Sequence, residues 1–277
     1  MTEVLFNGHA GRLEGRYHQS ENPNAPIALI LHPHPQYGGT MNNKVVYTLF
    51  SVFQSLGFSV LRFNFRSVGR SQGEFEDGAG ELSDATVALD WLQSVNPDAR
   101  QCWIAGYSFG AWIGLQLLMR RPDISNFIAV SPPANEKDFA FLAPCPTSGL
   151  ITQGAADEIV NPVSVTTLVK RLNTQRNISV DYALIEGADH MYNNHLVDLY
   201  KIAGHYIIDA LKKGGPARKK RGRRRKSELE GETLLLEDDS KDGEMSDMED
   251  ETGDDFEDDL TEGLADDGDS SDNDNDN

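Results

Sequence analysis

Residues 101–112, running from Gln101 to Trp112, constrain this chain more than any other stretch. They begin as a short apolar run between polar residues, which reads as a buried strand. They lead into Ala111–Met119, an apolar stretch of helical composition. Between the two lies Gly106-x-Ser108-x-Gly110. A strand that turns sharply into a helix leaves little room beside the backbone of its central residue, and glycines two positions to either side relieve that crowding. Such a turn holds the serine in a strained conformation, its hydroxyl above the sheet edge and the helix N-terminus beneath it. Backbone N–H groups at that terminus favour a developing negative charge. Ser108 is therefore the candidate nucleophile. The alternative is a plain glycine-flanked turn; a strand before it and a helix after it weigh against that.

The flanking chain supplies the rest of the frame. Val4–Asn7 and Leu13–His18 read as two short strands of an edge hairpin. Ile27–Leu31 is a continuous apolar run, expected of a strand covered on both faces. Met41–Leu56 has helical spacing and stops at Gly57. Phe58–Phe65 reads as a strand and Glu81–Val95 as an amphipathic helix. After the nucleophile turn come a strand over Asn126–Ser131, a strand over Thr147–Gln153 and a helix over Pro162–Leu172, with Pro162 suited to its first turn. A strand over Ile178–Ile185 and a helix over Asn193–Leu211 close the series. Strands alternating with helices predict an α/β fold, a mostly parallel sheet with helices on both faces. Residues 134–145 are too short a connection for a cap domain.

In such sheets, ligands sit beyond the carboxyl ends of the strands. After Thr147–Gln153 comes Gly154-Ala155-Ala156-Asp157, and after Ile178–Ile185 comes Glu186-Gly187-Ala188-Asp189-His190. A serine hydroxyl is a poor nucleophile at neutral pH. A neutral imidazole within hydrogen-bond reach can take its proton during attack and return it to the leaving group. An ionised carboxylate fixes the imidazole tautomer and stabilises the imidazolium. His190 is the candidate base and Asp157 the candidate orienting acid, with Glu158 as the alternative to Asp157. Asp189 suits the turn before His190.

Two donors are expected around the developing oxyanion. One is the N–H of Phe109, next after the serine, and the other comes from the loop after Ile27–Leu31. Pro33 and Pro35 have no N–H, so His34 is preferred, with Tyr37 as the alternative. His32 and His34 raise the question of a metal pair. The prolines extend the segment and point both rings in similar directions, so no metal and no cofactor are expected. His32 is read as packing under the site and shaping its loop.

These residues carry a resemblance. The chain resembles the α/β-hydrolase superfamily, and more narrowly the small cap-less hydrolases near dienelactone hydrolase and the prolyl-oligopeptidase-like esterases and peptidases. The matching segments are His32-Pro33-His34-Pro35 with Gly38-Gly39-Thr40-Met41, then Phe63 to Ser71, Gly106 to Gly110, and Gly187 to His190. The order serine, aspartate, histidine along the chain is the order of that superfamily. The resemblance implies an α/β-hydrolase fold and serine-type cleavage of an ester, thioester or amide through an acyl-enzyme. The expected substrate is a small-molecule or short-peptide acyl compound. Tyr37, Phe139, Phe141 and Met191 are expected to give the pocket apolar walls. Ser67 stands where related chains commonly have glycine. Arg66 and Arg70 are weighed between contacting an anionic substrate and pinning their own loop. A hydrolase-fold binding scaffold with weak or no turnover is the rival reading.

Composition divides the chain at residue 211. Of 25 Lys+Arg and 44 Asp+Glu, for a net charge of −19, residues 212–277 hold 11 and 24. Residues 1–211 are expected to form the hydrolase domain, 212–226 a basic linker and 227–277 an acidic, disordered C-terminal tail, because the tail has almost nothing to bury in a core. The tail is read as a solvated segment open to charged partners, which makes an electrostatic tether the second rival function. No aromatic interleaving supports specific nucleic-acid recognition. Two cysteines and no visible signal peptide or membrane span lead to a cytoplasmic expectation.

Overall fold

The structure, a computed structural model, describes residues 1–213. Strands β1 (Thr2–Gly8) and β2 (Gly11–His18) form an antiparallel hairpin, and β2 runs antiparallel to β4 (Ser59–Phe63). From there the sheet is parallel. It contains β3 (Ile27–Leu31), β4, β5 (Cys102–Tyr107), β6 (Ile124–Val130), β7 (Gly149–Gly154) and β8 (Val180–Ile185). The eight strands lie in the order β1-β2-β4-β3-β5-β6-β7-β8.

Every residue of β3 to β7 is buried, which is why β3 reads as an unbroken apolar run rather than an alternating one. Successive side chains still go to opposite faces. Ile27, Leu29 and Leu31 join a core closed by α2 (Ala79–Val95), α3 (Phe109–Arg120) and α4 (Pro162–Leu172). Ala28 and Ile30 join a second core under α1 (Lys44–Ser55) and α5 (Leu196–Lys212). The parallel sheet with helices on both faces is as expected, and among the described residues no large cap covers it.

Local chemistry sets the helix ends. Helix α1 stops in a Schellman motif: Gly57, at φ 80°, donates to Gln54, and Phe58 donates to Phe53. The rings of Phe53 and Phe58 then meet edge to face at 4.9 Å, sealing the turn with an apolar contact. Helix α2 begins two residues before the expected Glu81 because the buried Glu81 carboxylate reaches back to the N–H of Gly78 (2.7 Å) and of Glu76 (3.1 Å). Helix α5 begins three residues later than expected. Tyr192 (φ 54°) and Asn194 (φ 62°) are left-handed and hold residues 190–195 as a turn.

The acidic tail expected over 227–277, and all but the first two residues of the expected linker 212–226, lie outside the described residues. Among the described residues, no helix is long and apolar enough to cross a membrane.

Candidate active site

The β5–α3 turn carries Ser108 at φ 54° and ψ −119°, a conformation that L-residues adopt at a cost of about 1–3 kcal/mol. The surroundings compel it. The Ser108 N–H donates to Val130 on β6 at 2.8 Å, while the Ser108 carbonyl accepts from Ala111 (2.9 Å) and Trp112 (3.2 Å). Both flanking glycines are required by contact. A Cβ on Gly106 would run into the Gly110 carbonyl, and one on Gly110 would lie 2.5 Å from the carbonyl oxygens of Leu31 and His32. The first requirement is internal to the turn; the second is imposed by β3.

Asp157 follows β7 and His190 follows β8, and the structure brings them together. His190 Nδ1 lies 2.8 Å from Asp157 Oδ2. The other carboxylate oxygen accepts from the N–H groups of Val160 (2.8 Å) and Ile159 (3.0 Å), and the buried Gln153 amide donates to Oδ2 at 2.9 Å. Burial pushes the Asp157 carboxyl up. The His190 hydrogen bond, then those from the loop N–H groups, outweigh it and hold the group below the ordinary carboxylate range. Asp157 is buried, whereas Glu158 is exposed. Asp189 instead accepts from the Asn193 N–H (2.8 Å) and side-chain amide (2.6 Å), tying the turn.

Ser108, Phe109, His190, His34, Tyr37 and Met191 all border one cavity of about 510 Å³ at the carboxyl edge of the sheet. No hydrogen bond joins the Ser108 hydroxyl to the His190 ring, whose Nδ1 is taken by Asp157; such contacts commonly tighten around substrate. An imidazole whose Nδ1 is held by an ionised carboxylate keeps its other nitrogen available to take and return a proton.

The loop after β3 divides its donors. Gln36 N–H is used on the His34 ring (3.2 Å), and Tyr37 N–H on the His34 carbonyl (3.1 Å). The backbone N–H groups of His34 and Phe109 donate to no acceptor among the described residues. The Tyr37 alternative thus loses its N–H to the turn. His32 is fully buried; its Nδ1 lies 2.6 Å from the Pro33 carbonyl and its Nε2 accepts from Phe65 N–H at 3.0 Å. With both nitrogens spent on backbone, His32 has no site for a metal.

One expectation is corrected. Phe139 and Phe141 do not border the cavity. Phe139 is buried in the α3-side core, and Phe141 stacks on it at 5.8 Å and packs against the same core. A phenyl group gains more from burial in the core than from a wetted wall. Pro133, Ile159 and Val160 supply that wall. Arg66 does not reach the cavity either. Buried, it pairs with the fully buried Asp84 through Nε (3.0 Å) and Nη2 (2.8 Å), and also with Glu76. Arg70 pairs with Glu14 and Glu3. Both arginines pin their own loop, in which Ser67 takes the left-handed conformation (φ 64°) usual for glycine.

Sequence reading missed Tyr107. Its hydroxyl donates to the His190 carbonyl at 2.6 Å, and its ring lies 5.2 Å from the imidazole. It missed Gln153 as well. Tyr107 has no local signal, because it acts on a residue 83 positions away only through the assembled sheet edge, whereas Gln153 lies four positions from Asp157 and reads in sequence as one more residue of its strand.

Comparisons with known proteins agree with this fold. A family model described as X-Pro dipeptidyl-peptidase (S15 family) matches residues 16–143. An uncharacterized protein of Rickettsia prowazekii is 53% identical over 212 residues, covering 75% of this chain and 89% of the relative. Among solved structures, an Agrobacterium tumefaciens protein of unknown function assigned to the alpha/beta hydrolases is 57% identical, with a TM-score of 0.75 over 77% of this chain and 98% of that one. A Xanthomonas campestris protein described as an a/b serine hydrolase without lid is 30% identical, with a TM-score of 0.68 over 78% and 95% of the two chains.

Proposed function

The chain belongs to the α/β-hydrolase superfamily, among its cap-less serine hydrolases, and from that premise we propose that it cleaves an ester, thioester or amide through an acyl-enzyme, with Ser108 as nucleophile, His190 as base and Asp157 as orienting acid. The observation that carries this reading is the 2.8 Å contact from His190 Nδ1 to a buried carboxylate, on a ring that borders the same cavity as Ser108.

As Ser108 Oγ attacks the substrate carbonyl carbon, its proton passes to His190 Nε2 and the carbonyl π pair moves onto oxygen. The N–H groups of Phe109 and His34 face that oxyanion. Collapse of the tetrahedral intermediate expels the leaving group, which takes the proton from His190. Water then repeats the sequence and releases the acid and Ser108. Asp157 stays ionised throughout and holds Nδ1–H, so that Nε2 presents its lone pair to the serine. Its depressed pKa suits that duty.

The cavity's mixture of apolar walls and an open mouth, where Tyr37 is 86% exposed, suits small or extended acyl groups rather than long chains that need a lid. Covalent labelling by a fluorophosphonate probe tests the reading. Wild type labels and Ser108→Ala does not; equal labelling of the two removes Ser108 from the role, and no labelling of either favours the scaffold alternative. A panel of short p-nitrophenyl esters and aminoacyl amides then separates the bond types.

A further inference from the structure

His34 contributes its backbone to the proposed oxyanion site, but its side chain has a property of its own. A neutral imidazole carries one N–H. Here Nδ1 is occupied as an acceptor, receiving the Gln36 N–H at 3.2 Å while His34 caps the short Pro35–Tyr37 turn. The ring proton is thereby assigned to Nε2. Nε2–H donates to no protein acceptor among the described residues, on a ring that borders the cavity shared with Ser108. The ring is also held in place. Tyr37, Phe109 and Phe75 pack around it at centroid distances of 4.6, 4.9 and 5.0 Å, and Phe109 is the residue that follows the nucleophile. Burial, and then the nearby Lys137 charge, keep the ring below the ordinary imidazole range, in its neutral form at neutral pH.

We propose that His34 is a catalytic residue through its side chain, its Nε2–H donating a hydrogen bond to the substrate carbonyl oxygen as that oxygen gains charge. The inference rests on Ser108 being the nucleophile. No proton is transferred at this position: His34 keeps Nε2–H from ground state to acyl-enzyme, while His190 carries the moving proton. A donor already pinned by aromatic neighbours and a backbone cap needs no reorganisation when charge develops, which is where such donors gain their effect. His195, the other histidine near the site, is engaged differently, with Nδ1 3.0 Å from Asp198 and no place on the cavity.

Three variants separate donation from packing. His34→Phe keeps an aromatic ring and removes the donor. His34→Asn keeps a side-chain acceptor for the Gln36 N–H but is too short to place a donor at the Nε2 position. His34→Gln places an amide N–H near that position. On a short p-nitrophenyl ester, the Phe and Asn variants are expected to lose kcat on the order of 100-fold with little change in KM, and the Gln variant to recover most of that loss. Affinity for a trifluoromethyl ketone, which forms a tetrahedral adduct, falls in parallel with kcat. Wild-type kcat in the Phe and Asn variants overturns the proposal, as does equal impairment of all three, which would mean the ring only packs. Should the Phe variant fail to fold, the Asn and Gln pair decides alone. Fluorophosphonate labelling of wild type against Ser108→Ala reports on the nucleophile separately, so a failure there is distinguishable from a failure of His34.

Discussion

The loops after β3 and after β8 both bring histidines to the carboxyl edge of the sheet, and they hold them in opposite ways. In the first, His32 is enclosed completely and spends both nitrogens on backbone, Nδ1 on the Pro33 carbonyl and Nε2 on the Phe65 N–H. Its charged form finds no counter-charge, and burial brings its pKa down to about 4. In the second, His190 gives Nδ1 to the Asp157 carboxylate and turns its remaining edge to the cavity. An ionised partner can support an imidazolium, whereas a carbonyl and an N–H cannot. The partner of the ring nitrogens therefore separates a histidine that shapes a loop from one suited to carry a proton.

The largest test of that contrast removes the charge opposite His190. Asp157→Asn leaves the shape of the contact but withdraws the carboxylate, and kcat/KM should fall about ten-thousand-fold, by analogy with the same change in a serine-protease triad. Glu158→Gln in the same assay should leave the rate close to wild type, since that side chain is exposed. A large loss from Glu158→Gln with none from Asp157→Asn would reverse the assignment.

His32 offers the converse test, read in stability. Its folded pKa of about 4 lies below the ordinary 6.5, so the unfolded chain binds more protons between those values and stability rises with pH across the window. The contribution is complete above pH 6.5 and is lost as pH falls toward 4. It amounts to roughly 3 kcal/mol at most, from the 1.36 kcal/mol that each pKa unit represents. Asp157, with its lowered pKa, loses its contribution only below the ordinary 3.8, outside that window. Urea unfolding at stepped pH should show the slope in wild type and a flatter one in His32→Leu. That variant should also be less stable at pH 7 by about 2–4 kcal/mol, because Pro33 C=O and Phe65 N–H lose their partner. Identical slopes in the two proteins would show that His32 does not titrate in this way.

Tyr107 sharpens the comparison from the β8 side. Its buried hydroxyl, whose pKa burial pushes up, donates to the His190 carbonyl and braces the loop that carries the imidazole. Tyr107→Phe should lower kcat about tenfold, the worth of one buried hydrogen bond, with stability down by about 1 kcal/mol. An unchanged kcat would mean that the Asp157 contact positions the ring unaided. The smallest effect is expected at Lys44, whose ammonium on α1 meets the Asn193 side chain at the loop's outer surface. Lys44→Met should cost under about 1 kcal/mol in a thermal melt, as exposed polar ties do, and leave kcat alone.

Much of this arrangement can be read along the chain because it depends on near neighbours. The unbroken apolar run Ile27–Leu31 announces a strand covered on both faces. Gly106 must be glycine to clear Gly110, four positions on. Ser108, Asp157 and His190 each follow a run whose end is visible locally, so their placement past strand ends is legible before their contact is. Phe139 and Phe141 were misread for the complementary reason: an apolar side chain beside a site looks the same in sequence whether it turns to the cavity or to the core. Glu81 and Gly110 fall between these cases. Glu81 looks like a residue of the exposed helix start, yet its carboxylate caps the turn before it, and Gly110 is demanded as much by β3 as by its own turn.

Periodicity, glycine spacing and the chain order of the reactive residues are local quantities, set within a few residues by sterics and the strand and helix repeats, and so they belong to the amino-acid string. His190 Nδ1 and His32 Nε2 meet partners 33 positions away, Asp157 and Phe65, which come within 3.0 Å only when the sheet assembles, and the cavity that the His34 ring borders forms only there too. Hydrogen bonds depend on direction and on tenths of an ångström. Three imidazoles that are chemically identical in the string therefore become a loop brace, a proposed oxyanion donor and a proposed base only in the folded chain.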